Sequence, residues 1–337
     1  MNNDPDQVEA VAKPSFWRRY GWSVLLVGCV CGVAVLCTPI VRDWWQGWFY
    51  SPEAEVVEMR AELDLTARGN RIFNATHPAL EDSEVFNQVC NSHNADITLL
   101  GCYTEGKIYV YEIKEDQLRA ANKVTMAHEF LHAVWERLSA WERNQVEGWL
   151  NEVYEGRKEW FDGELETYED ADRLEEIYAR AGTKLEDLPD DLERHYAKYF
   201  RERVRIVAYY QEYEAPFLEL RLKLEELVAQ IEQAKIEIDR ERAEYMDGVQ
   251  QLDEKITRFN QCAARAGCFQ SQAEFARQRS ELLAERTSLE EVRTRLNEKI
   301  IDNNTKIEEY RAIQHSLGRL NDAMNSNIEL LEEAQDI

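Results

Sequence analysis

Residues 128–132 read His-Glu-Phe-Leu-His. Side chains four apart share one face of a helix, so the imidazoles of His128 and His132 can aim at a single metal ion. Glu129 follows His128 directly. Its carboxylate can stand beside such an ion rather than on it, where it can take a proton from a bound water. The chain holds only six histidines, so the pair is not a by-product of a histidine-rich composition. The chemistry these residue types point to is metal-assisted hydrolysis, with zinc the expected ion. A catalytic zinc generally keeps three protein ligands and one open position, which leaves a third ligand to find.

The motif needs a helix to work. Across residues 118–138, Val124, Ala127, Phe130, Leu131, Val134, Trp135 and Leu138 recur at helical spacing, so a helix is expected there. Upstream, residues 51–70 read as helix, ending at Gly69-Asn70. Residues 71–75, 97–103 and 107–113 read as strands, the last rich in strong β formers. Glu105-Gly106 suggests a hairpin between the second and third. Downstream, helices are expected over residues 141–160 and 166–181, with a break at Leu188-Pro189 and helix again from Asp190. The helix over 166–181 carries Glu175 and Glu176, both candidates for the third ligand.

Residues 20–41 carry no charged side chain, long enough at about 1.5 Å per residue to cross a bilayer. Lys13, Arg18 and Arg19 precede them, and Asp43 and an acidic region follow. This charge order favours the N-terminus inside and the bulk of the chain outside. Trp44, Trp45, Trp48, Phe49 and Tyr50 then cluster as residues do at a membrane–water boundary. A cleaved signal peptide is a rival, and Leu26-Val27-Gly28-Cys29 resembles a lipoprotein processing box. The expected organisation is a cytoplasmic tail (1–19), a transmembrane helix (20–41), a hydrolytic domain (50–213) and a coiled-coil hairpin (214–337).

The hairpin rests on apolar residues spaced by threes and fours, among them Phe217, Leu220, Leu224, Leu227, Ile231, Ile238, Tyr245, Leu252 and Phe259. A strict seven-residue series follows through Phe275, Leu282, Leu289, Leu296, Asn303, Tyr310 and Leu317. Gly267 can break the helix between the runs. Cys90 with Cys102 and Cys262 with Cys268 form two close pairs, read as disulfides that need an oxidising compartment. A net charge of −25 argues against nucleic acid as a partner, because that needs basic surface. Self-association, or an envelope protein bound through the coiled coil, remains open.

Taken together, Gly101-Cys102-Tyr103, Ile108-Tyr109-Val110-Tyr111, Ala127-His128-Glu129-Phe130-Leu131-His132, Leu188-Pro189 and His195-Tyr196-Ala197-Lys198-Tyr199-Phe200 resemble a group of membrane-anchored, zincin-like bacterial proteins. The resemblance covers roughly residues 50–205 and the coiled coil beyond. It implies an α+β minimal zincin fold of the gluzincin kind, with an edge strand along the cleft that can pair with extended peptide. It also implies Glu176 as third zinc ligand, with Glu175 the fallback. The related pattern Glu-Leu-His-Ser and later Gly-Thr-Glu stands here as Glu176-Ile177-Tyr178-Ala179 and Gly182-Thr183-Lys184. His195 or Tyr196 is the candidate donor to the oxyanion of a tetrahedral intermediate, while Tyr199 and Phe200 read as core. The expected function is a membrane-anchored, extracytoplasmic zinc metallopeptidase acting on protein or peptide. The alternative, favoured by Tyr178 and Lys184, is a catalytically silent zincin-like scaffold acting through its coiled coil.

Overall fold

The computed structural model describes residues 39–90, 99–165 and 172–327. These fall into two compact units, one ending at Glu212 and regained from Asn325, the other Tyr213–Met324.

The first unit is built around one helix. Helix α1 (Pro39–Trp48), α2 (Ala54–Glu62) and α3 (Ala67–Ala75) come first. Strand β1 (Ala79–Glu81), helix α4 (Ser83–Val89), and strands β2 (Gly101–Thr104) and β3 (Lys107–Tyr111) follow. Helix α5 (Arg119–Glu136) carries the His-Glu-x-x-His residues. It is succeeded by α6 (Ala140–Gly156), α7 (Lys158–Glu164), α8 (Arg173–Lys184) and α9 (Asp190–Tyr196). The sheet order is β1-β3-β2, with β1 parallel and β2 antiparallel to β3. Glu105 and Gly106 both have positive φ, 50° and 77°, the conformation a tight two-residue hairpin needs.

Local signals explain most boundaries. Ser139 and Glu142 form a reciprocal capping box that starts α6, and the Thr66 and Asp82 side chains cap α3 and α4. Ile108 and Val110 on β3 are fully buried, as are Phe130 and Leu131 on α5, Leu150 on α6, and Tyr178 and Tyr196 on α8 and α9. Helix α8 packs tightly against α5 at Gly182. A Cβ there would lie 2.4 Å from Leu131 Cδ1 and 2.9 Å from Tyr196 Cε1.

The expected α+β class is corrected. The sheet has strands of three, four and five residues, whereas the two C-terminal helices alone run to 60 and 52 residues. The described chain is predominantly helical. Residues 71–75, expected as a strand, lie in α3. Thr66 nucleates that helix, and Ile72 and Phe73 bury themselves from it, so the local cap and tertiary burial override β propensity. The expected transmembrane helix over residues 20–41 falls almost wholly outside the described residues. Among the described residues no helix is long and apolar enough to cross a membrane. Residues 20–38 lie outside the described residues. Residues 39–41 instead begin α1, which carries Arg42 and Asp43 and packs against α3.

The second unit consists of most of α10 (Val204–Ala263) and all of α11 (Gln272–Ala323). The two run antiparallel. Lys255 pairs with Glu285, Lys299 with Glu241 and Lys223 with Glu309. Leu227, Leu252, Leu296 and Ile313 are buried, and so is Asn303. A Cys262–Cys268 disulfide closes the turn.

The close approach at Gly182 makes a direct prediction. Gly182→Ala should destabilise the first unit by about 1–3 kcal/mol, the range for overpacking a full core, despite alanine's better helix propensity. Urea denaturation of both proteins would measure it; an unchanged or raised midpoint would contradict the close packing.

Candidate metal centre

Helix α5 presents His128 and His132 on one face, and α8 brings Glu176 opposite them. The His128 and His132 Nε2 atoms are 3.2 Å apart. Glu176 Oε1 is 3.3 Å from His128 Nε2, and Glu176 Oε2 is 3.3 Å from His132 Nε2. Donors about 2.0–2.1 Å from a tetrahedral zinc lie about 3.3–3.4 Å from one another, close to the separation of the two imidazole nitrogens and to that of each nitrogen from its own Glu176 oxygen. Two imidazole nitrogens facing each other at this distance need a cation or a shared proton between them. The group His128, His132 and Glu176 can hold a metal ion.

The surroundings orient these donors. His132 Nδ1 lies 2.8 Å from Glu175 Oε1. With the proton on Nδ1, the Nε2 lone pair is left for the metal, the usual carboxylate–histidine arrangement. Glu175 is therefore the partner behind a ligand, and Glu176 is the residue whose oxygens meet both imidazoles. Arg180 Nε donates to Glu176 Oε1 at 2.8 Å. Glu164 bonds both Arg180 and Lys184, the latter at 2.7 Å. Lys184 thus belongs to the charge chain behind Glu176 and is not at the ligand atoms.

The electrostatics fit a site that calls for positive charge. Burial works against ionising Glu176, but the His128 charge and hydrogen bonds from both histidines hold its carboxyl far below the usual range. Burial also opposes protonation of His132. Hydrogen bonds to Glu175 and Glu176 and the Glu129 charge outweigh it, pushing the imidazole up to about 10. His128 is lowered, chiefly by burial.

Glu129 is 6% exposed. Burial raises its carboxyl to about 7, while a backbone hydrogen bond from Tyr103 works the other way. That N–H belongs to the outer edge of β2. Tyr111 N donates to Leu100 O at 2.9 Å, so Cys102 and Thr104 face β3 and the backbone groups of Gly101 and Tyr103 face away from it. Gly101 lies directly over the carboxylate. A Cβ there would fall 2.8 Å from Glu129 Cγ and 2.5 Å from Thr125 Cγ2. The Cys90–Cys102 disulfide ties this strand to the end of α4.

The structure does not bring His195 to this group. It is 2% exposed, bonded to the Tyr178 hydroxyl at 3.0 Å and ringed by Trp149, Tyr196 and Tyr199. The expectation that it donates to an oxyanion is corrected: its ring is spent in the aromatic core, and burial pushes its pKa down to about 4. Tyr196 is fully buried and donates to the Tyr178 carbonyl. Tyr178 itself packs on Trp135, on the far side of α8 from Glu176. Neither departure from the related pattern, Tyr178 or Lys184, touches a ligand atom. Sequence reasoning missed Gly101, Arg180 and the backbone of Tyr103. An Arg four residues after Glu176 was a legible signal; the strand contacts were not.

Comparison with protein-family models, with curated proteins and with solved structures finds no match.

Two predictions follow from this geometry. Glu176→Ala should abolish metal binding, whereas Glu175→Ala should weaken it by about 10–100-fold, the usual effect of losing a partner behind a ligand. Competition with a chromogenic chelator would measure both, and equal losses would put Glu175 among the ligands. His195 gives a pH dependence. Its pKa is about 6.5 when unfolded and about 4 when folded. Between these values the unfolded chain binds the proton and the folded chain does not, so stability falls as pH drops from about 6.5 towards 4. His195→Gln should remove roughly 2–3 kcal/mol of the stability lost between pH 7 and pH 4.5. Urea titrations at the two pH values check it, and an identical loss in both proteins would refute it.

Proposed function

We propose that the chain is a zinc-dependent metallopeptidase with a zincin-like first unit, acting on protein or peptide at the cell envelope. The observation that carries this reading is the convergence of His128, His132 and Glu176, the two Nε2 atoms 3.2 Å apart and each 3.3 Å from its own Glu176 oxygen, with the Glu129 carboxylate beside them. Nitrogen donors disfavour magnesium and calcium, which take oxygen ligands, and two imidazoles with one carboxylate suit zinc. When bound, zinc supplies Lewis acidity at the point where these donors converge.

The chain's own residues then have defined tasks. Glu129 takes the proton of the attacking water and hands it to the leaving amine. Its raised pKa suits an exchange in both directions near neutrality. The Tyr103 N–H fixes one side of the carboxylate, and Gly101 leaves room for it. Beyond the Tyr103 N–H, which Glu129 takes, the outward edge of β2 offers its remaining backbone groups, to which an extended peptide can add as a strand. Glu175 and Arg180 hold His132 and Glu176 in their ligating orientations. Two disulfides support an oxidising, extracytoplasmic setting, with the uncharged stretch before α1 as the tether.

The antiparallel helices of the second unit, which this chemistry does not use, favour a second reading. In it the chain is a silent zincin-like scaffold that binds an envelope partner, or a second copy, through its coiled coil.

Glu129→Gln separates the two. It should retain one metal ion per chain while peptide hydrolysis falls by about 10²–10⁴-fold, the contribution of a positioned general base. Elemental analysis beside a peptide-library cleavage assay provides the measurement. Metal-loaded wild type without cleavage of any peptide or envelope protein would leave the scaffold.

A further inference from the structure

Helix α1 has two unlike faces. One is fastened to the protein. Asp43 is 3% exposed and accepts from Arg137 Nε at 3.0 Å. Arg137 also donates to the Tyr103 hydroxyl and the Ala133 carbonyl, so the clamp grips the end of the metal-bearing α5. Gly47 sits against Asn74, where a Cβ would lie 3.2 Å from the Asn74 Cβ. Just past α1, Tyr50 donates to the Pro78 carbonyl and stacks on His77. His77 Nε2 lies 2.9 Å from the Gln46 carbonyl. His77 pins this corner.

The opposite face is apolar and open. Ile40, Trp44, Trp45, Trp48 and Phe49 are 56%, 59%, 70%, 76% and 68% exposed. Their spacing of four and five residues puts them side by side. They leave roughly 600 Å² of apolar surface in one patch, at the top of the range for the largest patch on a monomer.

We propose that this face of α1 seats the first unit on a lipid bilayer, at the depth of the headgroups. Two features of the chain select lipid as the occupant. Residues 20–38, which join α1 at Pro39, carry no charged side chain, so the patch continues directly from an apolar stretch. Three of its five residues are tryptophan, the side chain enriched where hydrocarbon meets water, because its ring is apolar and its N–H is not. A second copy fits less well, since two chains of net charge −25 repel one another on approach. The same acidity makes the contact one of aromatic insertion without charge attraction, so neutral lipid suffices and salt has little effect. Through Asp43 and Arg137 the bilayer contact is mechanically joined to α5. The inference does not rest on the hydrolase reading: a silent scaffold would be seated in the same way.

The test uses the full chain reconstituted in phosphatidylcholine vesicles, with and without bromine on the acyl chains near the headgroup. Wild type is compared with Trp44→Ser/Trp45→Ser/Trp48→Ser, and with Trp45→Ser alone in case the triple variant folds poorly. Circular dichroism and metal content should be unchanged, since none of the three side chains touches the core or the ligands. The difference in emission between wild type and variant isolates the substituted tryptophans from the other six of the nine. Seating on lipid predicts a blue-shifted difference spectrum, quenched severalfold by brominated lipid and little by aqueous iodide, at low and high salt alike. A red-shifted spectrum quenched by iodide and indifferent to bromine would overturn it. So would a blue-shifted spectrum that neither quencher reaches, which would mean that protein covers the patch.

Discussion

A carboxylate that is 3% exposed cannot stay ionised without positive charge close by. Glu176 is that group, and much of the first unit can be understood as what it takes to keep it where it is. Its two oxygens face two imidazoles from α5, and Arg180 holds one oxygen from behind. Glu175 and Glu164 balance the histidine and the arginine in turn. The convergence of these side chains suits a small cation. Protonated His132 supplies part of the same compensation otherwise, which is the physical sense of its raised pKa.

Bringing Glu176 to the histidines requires two helices to approach further than ordinary side chains allow. Gly182 permits it on α8, and the fully buried Leu131, Tyr178 and Tyr196 close around the contact. The tyrosines fill volume and spend their hydroxyls on His195 and on the Tyr178 carbonyl. The aromatic cluster around His195 is therefore the wall that holds α8 against α5. Tyr178 serves packing there and has no direct contact with His128, His132 or Glu176.

Glu129 is governed by a different neighbour. Its carboxylate lies under Gly101 and receives the Tyr103 N–H, so its position depends on β2. That short strand is held on three sides: by the ladder to β3, by the Cys90–Cys102 disulfide, and by the Tyr103 hydroxyl at Arg137 and Glu136. Arg137 connects this strand to Asp43 on α1. A helix at the start of the described chain thus shares a buried ion pair with the end of the helix that carries His128 and His132. Such a pair resists removal of either partner, because the survivor would be left charged and buried.

Sequence alone determined the features that depend on neighbours in the chain. The α5 helix and its two histidines on one face follow from periodicity, the β2–β3 turn from Glu105-Gly106, the α9 start from Leu188-Pro189, and the disulfide partners from close cysteine pairs. It misjudged residues 71–75, where β-forming side chains yielded to a cap at Thr66 and to burial of Ile72 and Phe73. It also overweighted the sheet, since strand propensity says nothing of how few residues finally pair. Between Glu175 and Glu176 composition could not choose. The decision lies in the rotation of α8 about its axis, which core packing sets and which directs one carboxylate between the imidazoles and the other behind His132. His195 was misassigned for the same reason: a histidine on a helix carries no label for the face it will occupy. Only tertiary structure decides that face, because burying Tyr178, Tyr196 and Tyr199 together leaves the imidazole no way out of the core.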